Sequence, residues 1–213
     1  MADPSAQAPG SLTERRKART QVEIAHRAAE LFAAHGTGAV TAEDIATSAG
    51  IGLRTFYRYF RTKEEAVTPL LSAGVTDWLR DLAATPDDVP VAVALETSAR
   101  RALSVPGPAG VDALRLTRDL LRAVPGDPAL ESVWFRVVQE TEEALVDVLG
   151  TLMGPDADPL DVRMMAVAGN TAMRLAVATW AGTDTDTPGP RPADIAVRCI
   201  RTLTAGLGRP PTT

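Results

Sequence analysis

The sequence predicts an all-α protein in which an N-terminal three-helix head precedes a larger C-terminal helical bundle, with about nine helices in total. Apolar residues recur at helical spacing along most of the 213 residues, and no segment shows the apolar–polar alternation of a half-buried strand. Alanine is the commonest residue, and leucine, arginine and valine are abundant, which suits helices more than sheets. Stretches rich in Pro, Gly and Asp separate the predicted helices of the bundle.

The head begins after a short tail. Residues 1–12 are small, polar and rich in Pro and Gly, so we expect them to be disordered. The basic run ERRKAR at 14–19 either frays or opens the first helix, whose apolar positions recur towards His35. Gly36 then supplies a C-terminal stop, because glycine readily adopts the left-handed conformation that ends many helices.

Two short helices follow, joined by a glycine turn. Thr41, with Asp44 three residues later, predicts a variant capping box at the start of the second helix. The turn GIG at 50–52 interrupts this helix, and a third short helix is predicted over 53–59. Two short helices joined by a tight turn behind a longer helix are typical of a helix-turn-helix domain, which we place at residues 13–62.

A fourth helix begins the larger bundle, which we assign to residues 63–213. Thr62 and Glu65 predict a second capping box at its start. Pro69 lies inside the helical pattern and predicts a kink, because proline removes one helical hydrogen bond and crowds the preceding turn. The remaining predicted helices of the bundle lie at 89–104, 109–123, 128–153, 159–182 and 192–207.

The charge of the chain is distributed unevenly around a net value of −5. Residues 11–63 carry nine Lys/Arg against five Asp/Glu, whereas residues 64–213 carry thirteen Lys/Arg against twenty-one Asp/Glu. A basic head on an acidic bundle indicates a polyanionic partner for the head alone.

The composition also indicates the cellular compartment of the protein and which kinds of catalytic or metal site to expect. The single cysteine, Cys199, excludes an internal disulfide, and the absence of a recognisable signal peptide favours the reducing cytoplasm. No apolar run is long enough to span a membrane. We find no catalytic constellation and no His/Cys cluster with metal-binding spacing, so we expect neither an enzyme nor a cofactor.

The third predicted helix carries side chains suited to reading a DNA duplex. Arg54 and Arg58 lie four residues apart on one helix face and can reach guanine or phosphate, and tyrosine hydroxyls can reach phosphate oxygens. Phe56 and Phe60 are expected to face inward. The alternative to a DNA-reading domain is a protein-interaction module in which the tyrosines are half-buried. The predicted DNA contacts are Thr41, Gly52, Arg54, Thr55, Tyr57, Arg58, Tyr59 and Lys63.

Two stretches carry a family resemblance. The sequences AAELFAAHG (28–36) and VTAEDIATSAGIGLRTFYRYFRTKEEAV (40–67) resemble the DNA-binding head of TetR-family transcriptional regulators. The resemblance implies that the family's DNA-contacting positions are occupied here by Thr55, Tyr57, Arg58, Tyr59 and Lys63. Leu53 and Arg54 replace the small or polar residues often found before these positions, so the resemblance does not carry an operator sequence over.

The same resemblance implies a ligand-binding and dimerisation role for residues 63–213. The family pairs its last two helices in a dimer, which here correspond to 159–182 and 192–207, although an internal core would explain their apolar residues equally well. The chain is also similar to actinobacterial regulators that bind acyl-CoA-like ligands. Cys199 lies in an apolar stripe and is expected to be a buried structural residue, with redox sensing as the alternative.

Polar or aromatic residues at otherwise apolar helix positions are the candidates for an effector pocket. A tryptophan such as Trp134 more often fills a core than supports a ligand, and arginines such as Arg118 and Arg174 more often lie at the surface or in ion pairs than bind a ligand. If either arginine lines a cavity, an anionic effector is favoured. The six candidates are Trp78, Arg118, Trp134, Gln139, Asn170 and Arg174.

These observations together predict a homodimeric, ligand-responsive repressor. Two heads would insert their third helices into successive major grooves, about 34 Å apart, on a palindromic operator. A small-molecule effector would release the dimer by favouring a state with wrongly spaced heads. The alternatives are an activator that uses the same head and, from another class, a helical enzyme that acts on a small molecule.

Overall fold

The computed structural model describes residues 12–86, 88–104, 108–183 and 191–207, with side chains left undescribed at 108–114. Over these ranges the chain forms nine α-helices and no strand, which confirms the all-α prediction. The helices are α1 (Leu12–His35), α2 (Ala42–Ser48), α3 (Leu53–Tyr59), α4 (Thr68–Ala83), α5 (Val91–Ala102), α6 (Pro108–Ala123), α7 (Pro128–Met153), α8 (Pro159–Gly182) and α9 (Pro192–Thr204). Three short 3₁₀ turns lie at Thr37–Ala39, Glu64–Val67 and Val124–Gly126.

The chain divides into two compact units, the first ending at Leu70 and the second beginning at Leu71. In the first unit, α1 presents one buried stripe, formed by Ile24, Ala25, Ala28, Ala29 and Phe32. The 3₁₀ turn Glu64–Val67 buries Ala66 and Val67, and α2 buries Ile45 and Ala46. Small alanines on these elements allow short helices to approach α1 closely.

The basic run at 14–19 opens α1, since the helix begins at Leu12. The rest of the predicted tail lies outside the described residues. Residues 12–19 are exposed, and the first buried residue of α1 is Ile24. At 1.5 Å per residue, about 18 Å of helix therefore precedes the packed part of α1.

The predicted kink at Pro69 is wrong. The chain after Thr62 first forms the 3₁₀ turn Glu64–Val67, and α4 starts only at Thr68. Pro69 is thus the second residue of α4, where its missing N–H would have had no helical partner and its fixed φ suits the first turn. Proline therefore begins this helix without distorting it.

The second unit is a bundle whose core is one apolar cluster that includes Trp78, Leu82, Leu95, Leu145, Leu149, Met165 and Ile200. Gly169 of α8 lies in this core, and a Cβ there would stand 3.1 Å from Leu95 Cδ2. The α7 and α8 bounds match the predicted ones, whereas α5 is shorter at both ends and α9 ends at Thr204. Cys199 is half-buried against the cluster, so the expectation of full burial is wrong.

Candidate nucleic-acid interface and effector site

The N-terminus of α2 is closed by the predicted capping box. The Thr41 hydroxyl accepts the Asp44 N–H at 3.1 Å, and the Asp44 carboxylate accepts both the Thr41 N–H (2.8 Å) and the Thr41 hydroxyl proton (2.7 Å). These bonds, the side-chain one first, lower the pKa of Asp44, and nearby His35 lowers it further. Val40 and Ile45 on either side of the box are both buried, as a hydrophobic staple requires.

The turn between α2 and α3 is a Schellman motif centred on Gly50. Gly50 has a φ of +67°, its N–H donates to Thr47 O at 3.0 Å, and the Ile51 N–H donates to Ala46 O at 2.9 Å. Only glycine adopts this left-handed conformation without steric cost. The prediction that Gly50 ends α2 is confirmed, and Gly52 follows as the N-cap of α3.

Helix α3 divides its aromatic residues between two environments. Phe56 has no exposed surface and Phe60 is buried, with their ring centroids 5.7 Å apart. The Tyr57 ring packs edge-on against Phe56 at 5.5 Å, yet 54% of Tyr57 remains exposed. The prediction that both phenylalanines face inward is confirmed, and the α3 face opposite them is left to solvent.

The exposed face of α3 carries two arginines. Arg54 and Arg58 are both exposed, and the Arg54 side chain forms no ion pair or hydrogen bond within the described ranges. The Arg58 guanidinium lies 5.3 Å from the centroid of the half-buried Tyr59 ring, a cation–π distance. Thr55 is half-buried within the first turn of the helix. The structure therefore brings five predicted DNA contacts together on one short helix: Arg54, Thr55, Tyr57, Arg58 and Tyr59.

Lys63 makes contacts that its local sequence does not predict. Its Nζ donates hydrogen bonds of 2.7 Å to the carbonyls of Thr37 and Val40, in the turn between α1 and α2. The Glu64 carboxylate lies 3.8 Å from the same Nζ. The prediction that Lys63 contacts DNA stays a prediction, but the structure shows its ammonium held by the protein.

Two of the effector-pocket candidates lie in the core of the second unit. Trp78 is 1% exposed, and its indole N–H donates to the Ser98 hydroxyl at 3.1 Å, which in turn donates to Leu95 O at 3.2 Å. Asn170 is buried and its amide donates to Val138 O at 2.9 Å. Both polar groups are thus satisfied internally, as buried polar groups require.

Arg118 lies on α6, and its side chain contacts the C-terminal end of α8. Its guanidinium donates to the carbonyl of Thr183 and lies 5.3 Å from the Trp180 ring centroid, while its buried Nε has no partner within the described residues. Arg122, one turn further along α6, donates to the carbonyls of Ala181 and Thr183. Sequence reasoning missed Arg122, although its spacing of four from Arg118 was the available signal.

The three remaining pocket candidates are Gln139, Trp134 and Arg174, and they differ from the three above in burial or in contacts. Gln139 is exposed and donates to Glu143, so the expectation of an otherwise apolar position is wrong there. Trp134 and Arg174 are half-buried on α7 and α8. Within the described residues, no hydrogen bond, ion pair or ring contact joins any two of the six candidates. A separate groove between α5 and α9 is lined by Arg100, Asp194, Val197, Arg198, Arg201 and Thr202.

Two other kinds of site are absent from the described residues. No group of three or more His, Cys, Asp or Glu side chains there is arranged to hold a metal ion. Among the described helices, none combines the length and apolar character needed to cross a membrane.

Residues 24–67 match the family model described as bacterial regulatory proteins of the tetR family. The chain is 31% identical over 153 residues to the HTH-type transcriptional regulator TcmR of Streptomyces glaucescens, covering 70% of this chain and 67% of that protein. It is 46% identical over 57 residues to the HTH-type transcriptional repressor KstR2 of Mycobacterium tuberculosis, covering 27% and 28% of the two chains.

A solved structure shares the fold across both units. The TetR-family transcriptional repressor FadR of Thermus thermophilus, crystallised with lauroyl-CoA, aligns with a TM-score of 0.55 at 20% identity, over 91% of this chain and 98% of that one. Together with the capped α2, the Gly50 turn and the exposed arginines of α3, these matches establish that the chain belongs to the TetR family and is a DNA-binding transcriptional regulator.

Proposed function

We propose that the protein is a homodimeric repressor that binds a palindromic operator through α3 and is released by a small-molecule effector. The observation that supports this function most directly is the exposed face of α3, where Arg54 and Arg58 project from a seven-residue helix whose other face is anchored by Phe56. An exposed pair of arginines on a rigidly seated helix suits the major groove, which admits one α-helix.

Seven of the eight predicted contacts fall into three groups on this proposal. Arg54, Thr55 and Arg58 would reach base edges or phosphates, and one bidentate arginine–guanine pair contributes about 1–3 kcal/mol of discrimination. Tyr57 and Tyr59 would position the helix through phosphate oxygens. Thr41 and Gly52 stand at the N-termini of α2 and α3, where backbone N–H groups can face phosphates.

We propose that α8 supplies most of the surface between two copies. Its inner face is buried in the second unit, yet Leu160, Met164, Val167 and Leu175 are exposed on the opposite face. Together with Thr171 and Ala178 these residues follow steps of four, three, four, four and three, a near-helical period that keeps them in one stripe. An uncharged stripe about 27 Å long fits an identical stripe on a second copy.

The effector is proposed to bind within residues 63–213, and its charge is proposed from Arg118. A buried guanidinium Nε without an acceptor is costly, and an anionic group placed beside it would satisfy the N–H. An acyl-CoA carries such a group, so acyl-CoAs belong in the first ligand screen alongside free fatty acids and neutral amphiphiles.

The experiment that tests the function is selection of duplexes from a randomised pool by the full-length protein at low salt, followed by a mobility-shift titration. We expect a palindrome with half-sites one helical turn apart to be enriched. R58A should weaken its binding strongly without changing the oligomeric state, whereas R198A, an exposed arginine of α9, should bind normally. No enriched palindrome would refute the proposal. Deletion of the gene with a reporter would then separate repression from activation.

A further inference from the structure

We propose that Arg118 and Arg122 form a two-arginine site for a carboxylate or phosphate group, in which Arg118 turns to the anion while Arg122 keeps hold of the C-terminal end of α8. We call these two side chains the α6 arginine pair. The inference rests on the proposed function where it assigns the anion to the effector. It adds a second residue, Arg122, whose hydrogen bonds leave Arg118 free to bind.

The C-terminal end of α8 has more hydrogen-bond donors than its carbonyls need. Arg122 donates from Nε to the carbonyl of Ala181 at 2.5 Å and from Nη2 to the carbonyl of Thr183 at 2.8 Å. Arg118 donates from its own Nη2 to the same carbonyl of Thr183. Arg122 alone therefore satisfies both carbonyls, and a turn of the Arg118 guanidinium leaves neither of them without a donor.

The hydrogen bonds of Arg118 leave half of a binding fork unused. The N–H groups of Nε and Nη2 in a guanidinium are parallel, and a carboxylate or phosphate accepts both of them at once. In Arg118, Nη2 is directed to Thr183, whereas the buried Nε has no acceptor within the described residues. Exchange of the Thr183 carbonyl for an anion with two oxygens would satisfy both groups, so Arg118 gains a hydrogen bond by turning.

The charge at the α6 arginine pair is also unbalanced. The two guanidiniums carry two positive charges, whereas the C-terminus of a helix supplies only about half of a negative charge. Within the described residues, neither arginine forms an ion pair with Asp or Glu. The Trp180 ring, 5.3 Å from Arg118 Cζ, attracts the cation without cancelling its charge. About 1.5 positive charges therefore remain, which favours an anionic group over a neutral one.

Trp180 provides a direct test on the wild-type protein. The probes are octanoate and octyl phosphate, which carry the two kinds of anionic head on one chain, with octan-1-ol as the neutral counterpart. In full-length protein labelled with 5-fluorotryptophan and free of DNA, both anions should move the ¹⁹F resonance of Trp180, assigned with W180F, because Arg118 leaves the ring. The anion that binds more tightly identifies the head group. A Trp180 resonance that neither anion moves further than octanol does overturns the inference.

Calorimetric titration of variants with the tighter anion separates the two arginines. R118M should bind it about 10- to 100-fold more weakly, since a hydrogen-bonded charge is lost. R122M should bind it about tenfold more weakly, because Arg118 is then the only donor to Thr183, and R122K should recover part of this loss by keeping one charge and one donor. The control R163M removes an exposed arginine near the other end of α8 and should bind like wild type. Wild-type affinity in R122M overturns the inference, and the ¹⁹F measurement decides if R122M does not fold.

Release of the palindrome is measured separately. An anion that moves the Trp180 resonance but leaves the complex of protein and palindrome intact refutes the proposed response to an effector, while the α6 arginine pair remains an anion site. A protein that binds no duplex refutes the proposed repressor in the same way.

Discussion

Replacement of Gly50 by alanine tests the turn that sets α3 against α2. Gly50 has a φ of +67°, and a Cβ built there would meet no heavy atom within 4 Å, so the cost of G50A comes from the backbone alone. A left-handed conformation costs a non-glycine residue about 1–2 kcal/mol. We therefore expect G50A to lower the free energy of unfolding of the first unit by about 1–2 kcal/mol, and G50N by less, because asparagine tolerates this conformation.

The distribution of aromatic residues provides an assay specific to each unit. Both tyrosines lie on α3 in the first unit, and all three tryptophans lie in the second. Urea unfolding followed by ¹⁹F-tyrosine NMR should show the loss of stability in G50A, while tryptophan fluorescence should show little change. G38A is the control, because Gly38 lacks a positive φ and has equally open surroundings. Equal stability of G50A and G38A would refute the strain argument.

Three further changes test other contacts. S98A leaves the buried Trp78 indole N–H without an acceptor and should destabilise the second unit by about 1–3 kcal/mol in urea unfolding followed by tryptophan fluorescence. The hydrogen bond from the Thr41 side chain lowers the pKa of Asp44; its stabilisation should therefore be complete above the ordinary value of 3.8 and lost as pH falls through the lowered pKa, a dependence that D44A should abolish in acid titrations of stability. M164E places a charge on the exposed stripe of α8 and should give monomers in sedimentation analysis.

Each of these changes has a control or a contradicting result. S98T keeps a hydroxyl at the same position and should retain more stability than S98A; an equal loss would contradict the role of the hydrogen bond. An acid transition identical in D44A and wild type would show that Asp44 does not contribute. T179E adds the same charge to an exposed α8 position a quarter turn from the stripe, so dimers of M164E, or monomers of T179E, would contradict the proposed interface.

The features of the DNA-binding unit that could be predicted from sequence are those whose partners lie close along the chain. The Thr41–Asp44 capping box and the Gly50 turn join atoms within five residues of one another, so residue type and spacing indicate them. The expected inward orientation of Phe56 concerns a single short helix and is equally local. Pro69 was misassigned because two helical geometries, a 3₁₀ turn and an α-helix, share one apolar pattern across their junction.

The all-α class, the helix-turn-helix and the chemistry of the α3 surface could be inferred from the order of amino acids alone, because periodicity, caps and turns depend on neighbouring residues. The folded chain was needed to show that Lys63 donates to the carbonyls of Thr37 and Val40, that Trp78 donates to Ser98, and that Gln139 faces solvent. These contacts join residues twenty or more positions apart, or depend on which helix faces pack together. Spacing along one helix cannot specify such partners, because they are selected by the packing of the other elements.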